Sequence, residues 1–322
     1  MDLLGLHHLT AVSARIRENY AFYTRVMGMR LVKRSVNQDD VSAYHLFYAD
    51  AIGTPGTDLT FFDWPVPRER RGTHSVVRTG LRVRDEASLA WWRSHLAEAS
   101  LPALGEVMEV GGTSILPFED PEGQRLALVV DGGTGDAPTP WDDSPVPVEH
   151  QVRGLGPVVL SVPDPGPTRE VLQQVLGMSS EGSFMQEDSA GTGRQVEVER
   201  WTMGDQSGPH AEVHLAAEPH LPPVRPGAGG VHHVAFRVPD LDYGAWSERL
   251  GELRIPNSGP VDRYYFRSLY FREPNGILFE LATDGPGFAV DEPVECLGEE
   301  VALPPFLEPR RDAIVANLRP LD

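Results

Sequence analysis

The sequence predicts an α+β fold made of four βαβββ units, and three observations predict it. A short motif recurs along the chain. A helical pattern of apolar residues follows each copy. Two copies end in the same kind of turn. Gly5-Leu6-His7-His8-Leu9-Thr10-Ala11-Val12 matches Gly230-Val231-His232-His233-Val234-Ala235-Phe236-Arg237-Val238, and weaker copies begin at Ser75 and Gly154. A period of this length is the mark of a repeated structural unit.

Each copy opens on a run rich in β-branched and apolar residues, which predicts a strand. In the first copy Tyr20, Phe22, Tyr23, Val26 and Met27 then recur at helical spacing, and Gly28 suits a helix C-terminus. The second copy continues with Leu89, Trp92 and Leu96, the third with Val171, Leu172, Val175 and Leu176, and the fourth with Tyr243, Trp246 and Leu250. Extended segments close each unit. Asp120-Pro121-Glu122-Gly123 precedes Leu126-Ala127-Leu128, and Glu273-Pro274-Asn275-Gly276 precedes Leu278-Phe279-Glu280-Leu281. The units fall at 5–64, 73–131, 153–217 and 229–284. Gly132–Glu149, rich in Gly, Pro and Asp, reads as a linker. The expected division is therefore 1–149, with the first two units and the linker, and 150–322, with the last two units and a tail. The tail carries a short helical pattern from Arg311 to Leu318.

The chain has 322 residues, 40% of them hydrophobic, which is enough for more than one core. Its formal net charge of −19 repels phosphate backbones and anionic lipid, so nucleic acid and membrane surfaces are not expected partners. The single cysteine, Cys296, excludes an intrachain disulfide and a thiolate metal cluster. Any metal must use His and carboxylate. The first residues, Met1-Asp2-Leu3-Leu4, lack the basic and apolar regions of a secretory signal, and a cytoplasmic location is expected.

Four βαβββ units are the architecture of the vicinal oxygen chelate superfamily, which this chain resembles over about 280 residues. The resemblance implies units pairing into two cupped, barrel-like mixed sheets with helices outside. It also implies metal-ligand positions on the first and last strands of the units that share a cup.

Side chains of a strand alternate between faces. His8 and Thr10 share one face of the first strand, and Leu9 and Ala11 the other. In the fourth unit His233, Ala235 and Arg237 oppose Val234, Phe236 and Val238. The apolar faces belong under helices, so His8 and His233 point into the cup. Glu280 sits in the run Ile277-Leu278-Phe279-Glu280-Leu281-Ala282, and a carboxylate buried there needs a cation. A three-residue turn with Gly276 left-handed places Tyr270 opposite Glu280, so that Ser268 and Tyr270 line the cup while Leu269 and Phe271 face the helix. His8, His233 and Glu280 thus form a two-His-one-carboxylate set, which leaves positions open on an octahedral ion and suits Fe(II). Aligned on Glu280, the first unit offers Thr60 and the second Ala127. Aligned on His233, the second offers Arg78 and the third Pro157. His214 aligns with Glu280 in the third unit, so a rival cup could use His214, His233 and Glu280. His45, His74, His95, His150, His210 and His220 have no partner by spacing and read as surface or structural residues.

Within the superfamily the chain resembles hydroquinone-type ring-cleaving dioxygenases. Leu6-His7-His8-Leu9-Thr10, Val231-His232-His233-Val234-Ala235-Phe236, Asp262 to Glu273, and Phe279-Glu280-Leu281-Ala282-Thr283 carry that resemblance. It implies Fe(II), with Mn(II) as the alternative, held by His8, His233 and Glu280. It implies catalytic groups at Tyr270, His232, Arg263 and His7, and substrate contacts from Tyr270, Arg263, Thr10 and Thr60. His7 and His232 fall on the wrong face by simple alternation, and twist near the cup rim is the expected remedy. The expected partners are a small aromatic substrate and O₂, and a homo-oligomer is compatible with the sequence. Three other readings stay open: an extradiol catechol dioxygenase, a metal-dependent lyase or isomerase of the glyoxalase kind, and an aromatic- or drug-binding resistance protein.

Overall fold

The structure, a computed structural model, describes residues 1–205 and 208–321. The first unit comprises β1 (Leu6–Ser13), helix α1 (Ile16–Ala21), β2 (Arg30–Val36), β3 (Tyr44–Ala49) and β4 (Asp58–Asp63). The second comprises β5 (Ser75–Val83), α2 (Glu86–Glu98), β6 (Met108–Val110), β7 (Thr113–Glu119) and β8 (Arg125–Val130). The third comprises β9 (Leu155–Val162), α3 (Pro165–Glu170), β10 (Ser179–Glu187), β11 (Gln195–Thr202) and β12 (Glu212–Ala217). The fourth comprises β13 (Val231–Val238), α4 (Tyr243–Glu252), β14 (Val261–Asp262), β15 (Arg267–Arg272) and β16 (Leu278–Thr283), and the tail ends in α5 (Arg311–Asn317). Helices α1 and α3 each continue into a wider turn closed by i→i+5 hydrogen bonds, Met27 N–H to Phe22 O at 2.9 Å and Leu176 N–H to Val171 O at 3.0 Å. That shared irregularity confirms the repeat at the backbone level.

The strands form two eight-stranded mixed sheets, ordered β14-β15-β16-β13-β1-β4-β3-β2 and β10-β11-β12-β9-β5-β8-β7-β6. Each sheet takes one unit from each sequential half. The first joins units one and four through antiparallel β1 and β13, and the second joins units two and three through antiparallel β5 and β9. The division at 149/150 expected from sequence order is therefore not a division between sheets. The physical reason is that the opening strands pair across the two halves, unit one with unit four and unit two with unit three, which the order of units alone does not record.

The apolar faces predicted from alternation are buried. Leu9, Ala11, Val234 and Phe236 join Tyr23, Trp92, Leu172 and Trp246 in one core cluster that draws on both sheets and on all four unit helices. The helices lie outside the cups, and α1 and α2 are adjacent, with His95 Nε2 donating to Val26 O at 2.9 Å. The turn before β16 has the expected form. Gly276 is left-handed at φ 86°, its N–H reaches Glu273 O at 2.8 Å, and Tyr270 pairs with Glu280. Gly123 at φ 88° repeats the geometry in the second unit.

Linker 132–149 is packed against the fold: Val146 is 1% exposed, and Ser144 Oγ donates to Gly28 O at 2.7 Å. The tail is stitched to the first sheet by Lys33, which is fully buried and bonds Phe288 O at 3.1 Å, Asp291 at 2.7 Å and Glu292. No helix among the described residues is long and apolar enough to cross a membrane.

Because β1 and β5 both lose their central partners when the chain is cut at 149/150, residues 1–149 expressed alone should not form a stable domain. Co-expression with residues 150–322 should restore a soluble complex. Size-exclusion chromatography and thermal melting of the single and co-expressed halves check this, and cooperative melting of 1–149 alone would contradict the shared-sheet account.

Candidate metal centre

His8 comes from β1, His233 from β13 and Glu280 from β16, three strands adjacent in the first sheet. All three side chains are buried, at 2%, 4% and 0% exposure. Their ligand atoms converge: His8 Nε2 and His233 Nε2 are 3.3 Å apart, and Glu280 Oε2 is 3.1 Å from the first and 2.9 Å from the second. Neither approach has hydrogen-bond alignment, so Glu280 Oε2 is a buried oxygen with no hydrogen-bond partner. Its other oxygen accepts from Ser268 Oγ at 2.5 Å. Burial alone would raise the Glu280 carboxyl, but the adjoining imidazoles of His8 and His233 outweigh it and hold it well below the usual carboxylate range. An orphaned carboxylate oxygen facing two imidazole nitrogens fits a divalent ion at their common focus.

The neighbours of the imidazoles assign their tautomers. His7 Nε2 lies 3.1 Å from Thr283 O, and a carbonyl only accepts, so His7 carries its proton on Nε2. Burial brings the His7 pKa down to about 3, so the ring is neutral and its Nδ1 is a lone pair. That Nδ1 lies 2.9 Å from His8 Nδ1, which must therefore donate. In that tautomer a neutral His8 presents its Nε2 lone pair toward the focus, as a ligand requires. His232 and His233 repeat the contact, Nδ1 to Nδ1, at 2.8 Å. With His233 Nε2 turned to the focus, 3.0 Å from Thr10 Oγ1, a neutral His233 that ligates through Nε2 donates from Nδ1, and His232 keeps its proton on Nε2. Burial, with His233 next, brings the His232 pKa down to about 3, so it too is neutral.

A β-bulge on each strand brings these outer histidines to the ligands. The β1–β13 register runs Leu6↔Phe236, then His8↔Ala235, and later Thr10↔His233, then Ala11↔Val231. His7 and His232 are the extra residues, taken out of the alternation that assigned them to the helix side. The bulge, rather than strand twist, is the remedy.

A cavity of about 360 Å³ adjoins the triad. His8, His233, His232, Tyr270 and Arg263 line it together with Phe47, Phe62, Trp64, Tyr265 and Phe266. Arg263 Nε donates to Tyr270 Oη at 3.2 Å, and its Nη2 pairs with Asp39 at 2.9 Å. Burial, then Glu280, pushes the Tyr270 phenol up, so its hydroxyl stays protonated. Tyr264, next to Arg263, is left-handed at φ 71° in the loop before β15.

Other expectations need correction. Thr10 and Thr60 are fully buried, bond each other at 2.7 Å, and do not line the cavity. They lie behind the cavity wall, with Thr10 Oγ1 3.0 Å from His233 Nε2. His7 does not line the cavity either, and both its ring nitrogens are engaged, with His8 Nδ1 and Thr283 O. His214 lies in the second sheet and donates to Glu212 at 2.8 Å, so units three and four share no cup and the rival site does not exist. His45, read as structural or surface, lines the cavity and bonds Thr60 Oγ1 through Nε2 at 2.9 Å. Alternation on β3 was the available signal: Tyr44, Leu46 and Tyr48 pack in the core, which turns His45 and Phe47 into the cup.

Residues 5–128 and 154–281 match the profile of the Glyoxalase/Bleomycin resistance protein/Dioxygenase superfamily, and the chain belongs to that superfamily. Within it, the chain groups with the ring-cleaving dioxygenases. It is 44% identical, over all of both chains, to the Bacillus subtilis (strain 168) protein described as "Putative ring-cleaving dioxygenase MhqA". It is 28% identical to the chlorohydroquinone/hydroquinone 1,2-dioxygenase of Sphingobium indicum, covering 98% of this chain and 95% of that one. A crystal structure of a "putative dioxygenase" from Bacillus subtilis subsp. subtilis str. 168 superposes with a TM-score of 0.88 at 33% identity, covering 99% of this chain and 98% of the other.

His8→Ala, His233→Ala and Glu280→Ala should each abolish metal retention, and His214→Ala should leave it intact. His7→Phe, which removes only the partner that fixes the His8 tautomer, should weaken metal affinity by roughly 10- to 100-fold. Metal analysis of the purified variants decides this, and full metal content in His8→Ala would move the site elsewhere.

Proposed function

We propose that the chain is an Fe(II)-dependent dioxygenase that opens a para-hydroquinone ring next to a metal-bound phenolic oxygen. The observation that carries the reading is the meeting, in one cavity, of the His8–His233–Glu280 focus with the protein donors Tyr270, Arg263 and His232. Held by this triad, Fe(II) would act as a Lewis acid toward a phenol and as an electron route between ring and O₂; Mn(II) satisfies the same donors.

The residues supply binding, orientation and proton control. Phe47, Phe62, Trp64 and Phe266 give the cavity apolar walls, and its volume suits a single substituted ring. A hydroquinone is neutral at pH 7, so the chain's net charge of −19 does not oppose its entry. Arg263 donates to Tyr270 Oη, which polarises the phenol and turns its O–H into a better donor toward a ring oxygen. His232 Nε2–H has no hydrogen-bond partner among the described residues and belongs to a residue of the cavity wall, so it is available to a second oxygen of the substrate. The guanidinium of Arg263 places positive charge where negative charge develops as the ring opens. Opening the ring with both atoms of O₂ retained leaves one carbon as a carboxylic acid and its former neighbour as an aldehyde.

A catechol would grip the ion through two adjacent oxygens. A para-hydroquinone offers one oxygen, so the protein must supply the rest of the orientation. Tyr270, His232 and Arg263 are donors of that kind, and the hydroquinone named in one relative supports the same choice.

Tyr270→Phe should keep the metal and lower turnover by about 10- to 1000-fold, the range for losing one donor to a charged intermediate. Metal analysis and steady-state oxygen uptake on the same preparation measure both, and unchanged turnover would remove Tyr270 from the reaction. For substrate class, oxygen uptake of the Fe(II)-loaded protein should be faster with methylhydroquinone or chlorohydroquinone than with catechol. Catechol turned over at least about tenfold better would exclude the hydroquinone assignment and leave the metal centre standing.

A further inference from the structure

The second sheet repeats the cup of the first, but with different groups at its metal-equivalent positions. In the first sheet Thr10 pairs with Thr60 and Ala235 with Glu280, and the ligands His8 and His233 stand two residues before Thr10 and Ala235. In the second sheet Gly80 pairs with Ala127 and Val159 with His214. Two residues before Gly80 and Val159 stand Arg78 and Pro157. The four positions are therefore Arg78, Pro157, Ala127 and His214, and all four line one small cavity. A guanidinium, a proline and an alanine cannot ligate a metal. The second cup has a fixed cation where the first has a ligand for one.

That cation is unneutralised. Among the described residues the one hydrogen bond of Arg78 is from Nη2 to Gln186 Oε1 at 3.2 Å, and no carboxylate there pairs with it. Desolvation brings its pKa down to about 10, the signature of a guanidinium taken from water without a counter-ion. Arg78 also lines a larger cavity of about 310 Å³ that contains Arg125. Arg125 Nη1 donates to Ser189 O at 2.7 Å, while its Nη2 is buried without a hydrogen-bond partner. Three carboxylates reach the same cavity, and each is already engaged. Glu119 pairs with Arg71 at 2.6 Å, Asp188 with His220 at 2.8 Å, and Glu187 accepts from Gly193 N–H at 2.8 Å. The rest of the wall is largely apolar and includes Val77, Met108 and Phe118.

We propose that this second cup binds an organic monocarboxylate with an apolar body about the size of one ring, its carboxylate held by Arg78. The planar fork of a guanidinium matches a carboxylate in two parallel hydrogen bonds, and the unused donors of Arg78 and Arg125 supply them. The three resident carboxylates disfavour a dianion such as phosphate, and the apolar wall requires an organic body. The ring-opened acid of the reaction proposed above belongs to this ligand class, but the assignment of the cup does not depend on that reaction.

The test is a ¹⁹F NMR titration of the metal-loaded, full-length protein with 4-fluorobenzoate. Saturable binding is expected, weakened at least about tenfold in Arg78→Met and several-fold in Arg78→Lys, which keeps the charge but loses the fork. Metal content and oxygen uptake should stay at native levels in both variants, which also reports that each is folded. Neutral 4-fluorobenzamide should bind at least about tenfold more weakly than the acid. Several results would overturn the proposal: no saturation with the native protein, equal affinity in Arg78→Met, equal binding of the amide, or displacement by inorganic phosphate as effective as displacement by benzoate. Loss of binding when the metal is chelated would place the acid at the first cup instead, and overturn it too.

Discussion

The antiparallel ladder between β1 and β13 brings His8 and His233, far apart in the chain, to 3.3 Å between their Nε2 atoms. Everything else in the first cup is placed relative to it. Strand β16 adds on beside β13 in parallel register and sets Glu280 next to Ala235, and β15 then folds back to set Tyr270 next to Glu280. The same ladder contains both bulges, and in an unbulged ladder His7 and His232 would face the helices. One pairing therefore fixes the ligands, their tautomers and the donors around them.

Buried charge is the cost of this arrangement, and the fold meets it locally. Glu280 has two imidazoles on one oxygen and Ser268 on the other. Lys33, fully buried at the back of the cup, meets Asp291 and Glu292 of the tail, and Tyr265 Oη donates to Asp291 at 2.9 Å. Such a cluster contributes less to net stability than to position, because desolvation offsets much of the Coulombic gain. Its effect is to seat the tail against Tyr265 and Phe266, which line the cavity.

The two cups show how one backbone carries different chemistry. Strand order and register repeat, even to a bulge at Val77 where the first sheet has His7. The chemistry changes through the side chains set on that scaffold: His8 and His233 give way to Arg78 and Pro157. Imidazole nitrogens at one place in the scaffold are replaced by a guanidinium at the equivalent place, which reverses the charge that position can hold.

The sequence by itself determined the repeat, the strand and helix of each unit, the convergence of His8, His233 and Glu280, and the register that sets Tyr270 against Glu280. These follow from local rules: alternation on a strand, helical spacing, and the turn geometry that Gly276 permits. Setting His8, His233 and Glu280 in one cup already paired units one and four; only the tertiary structure decided the ladder that joins them, because pairing between β1 and β13 is a contact between distant segments with no local signal. It also decided the roles of His7, His45, Thr10 and Thr60. A bulge shifts every later side chain by one face, and a hydroxyl or imidazole on the right face still lines the cavity or lies behind its wall according to what packs over it. The contact of Arg263 with Tyr270 lies beside a left-handed Tyr264, and alternation along the strand announced neither. What a strand presents is local physics, and what stands across from it is settled by the closure of the whole sheet.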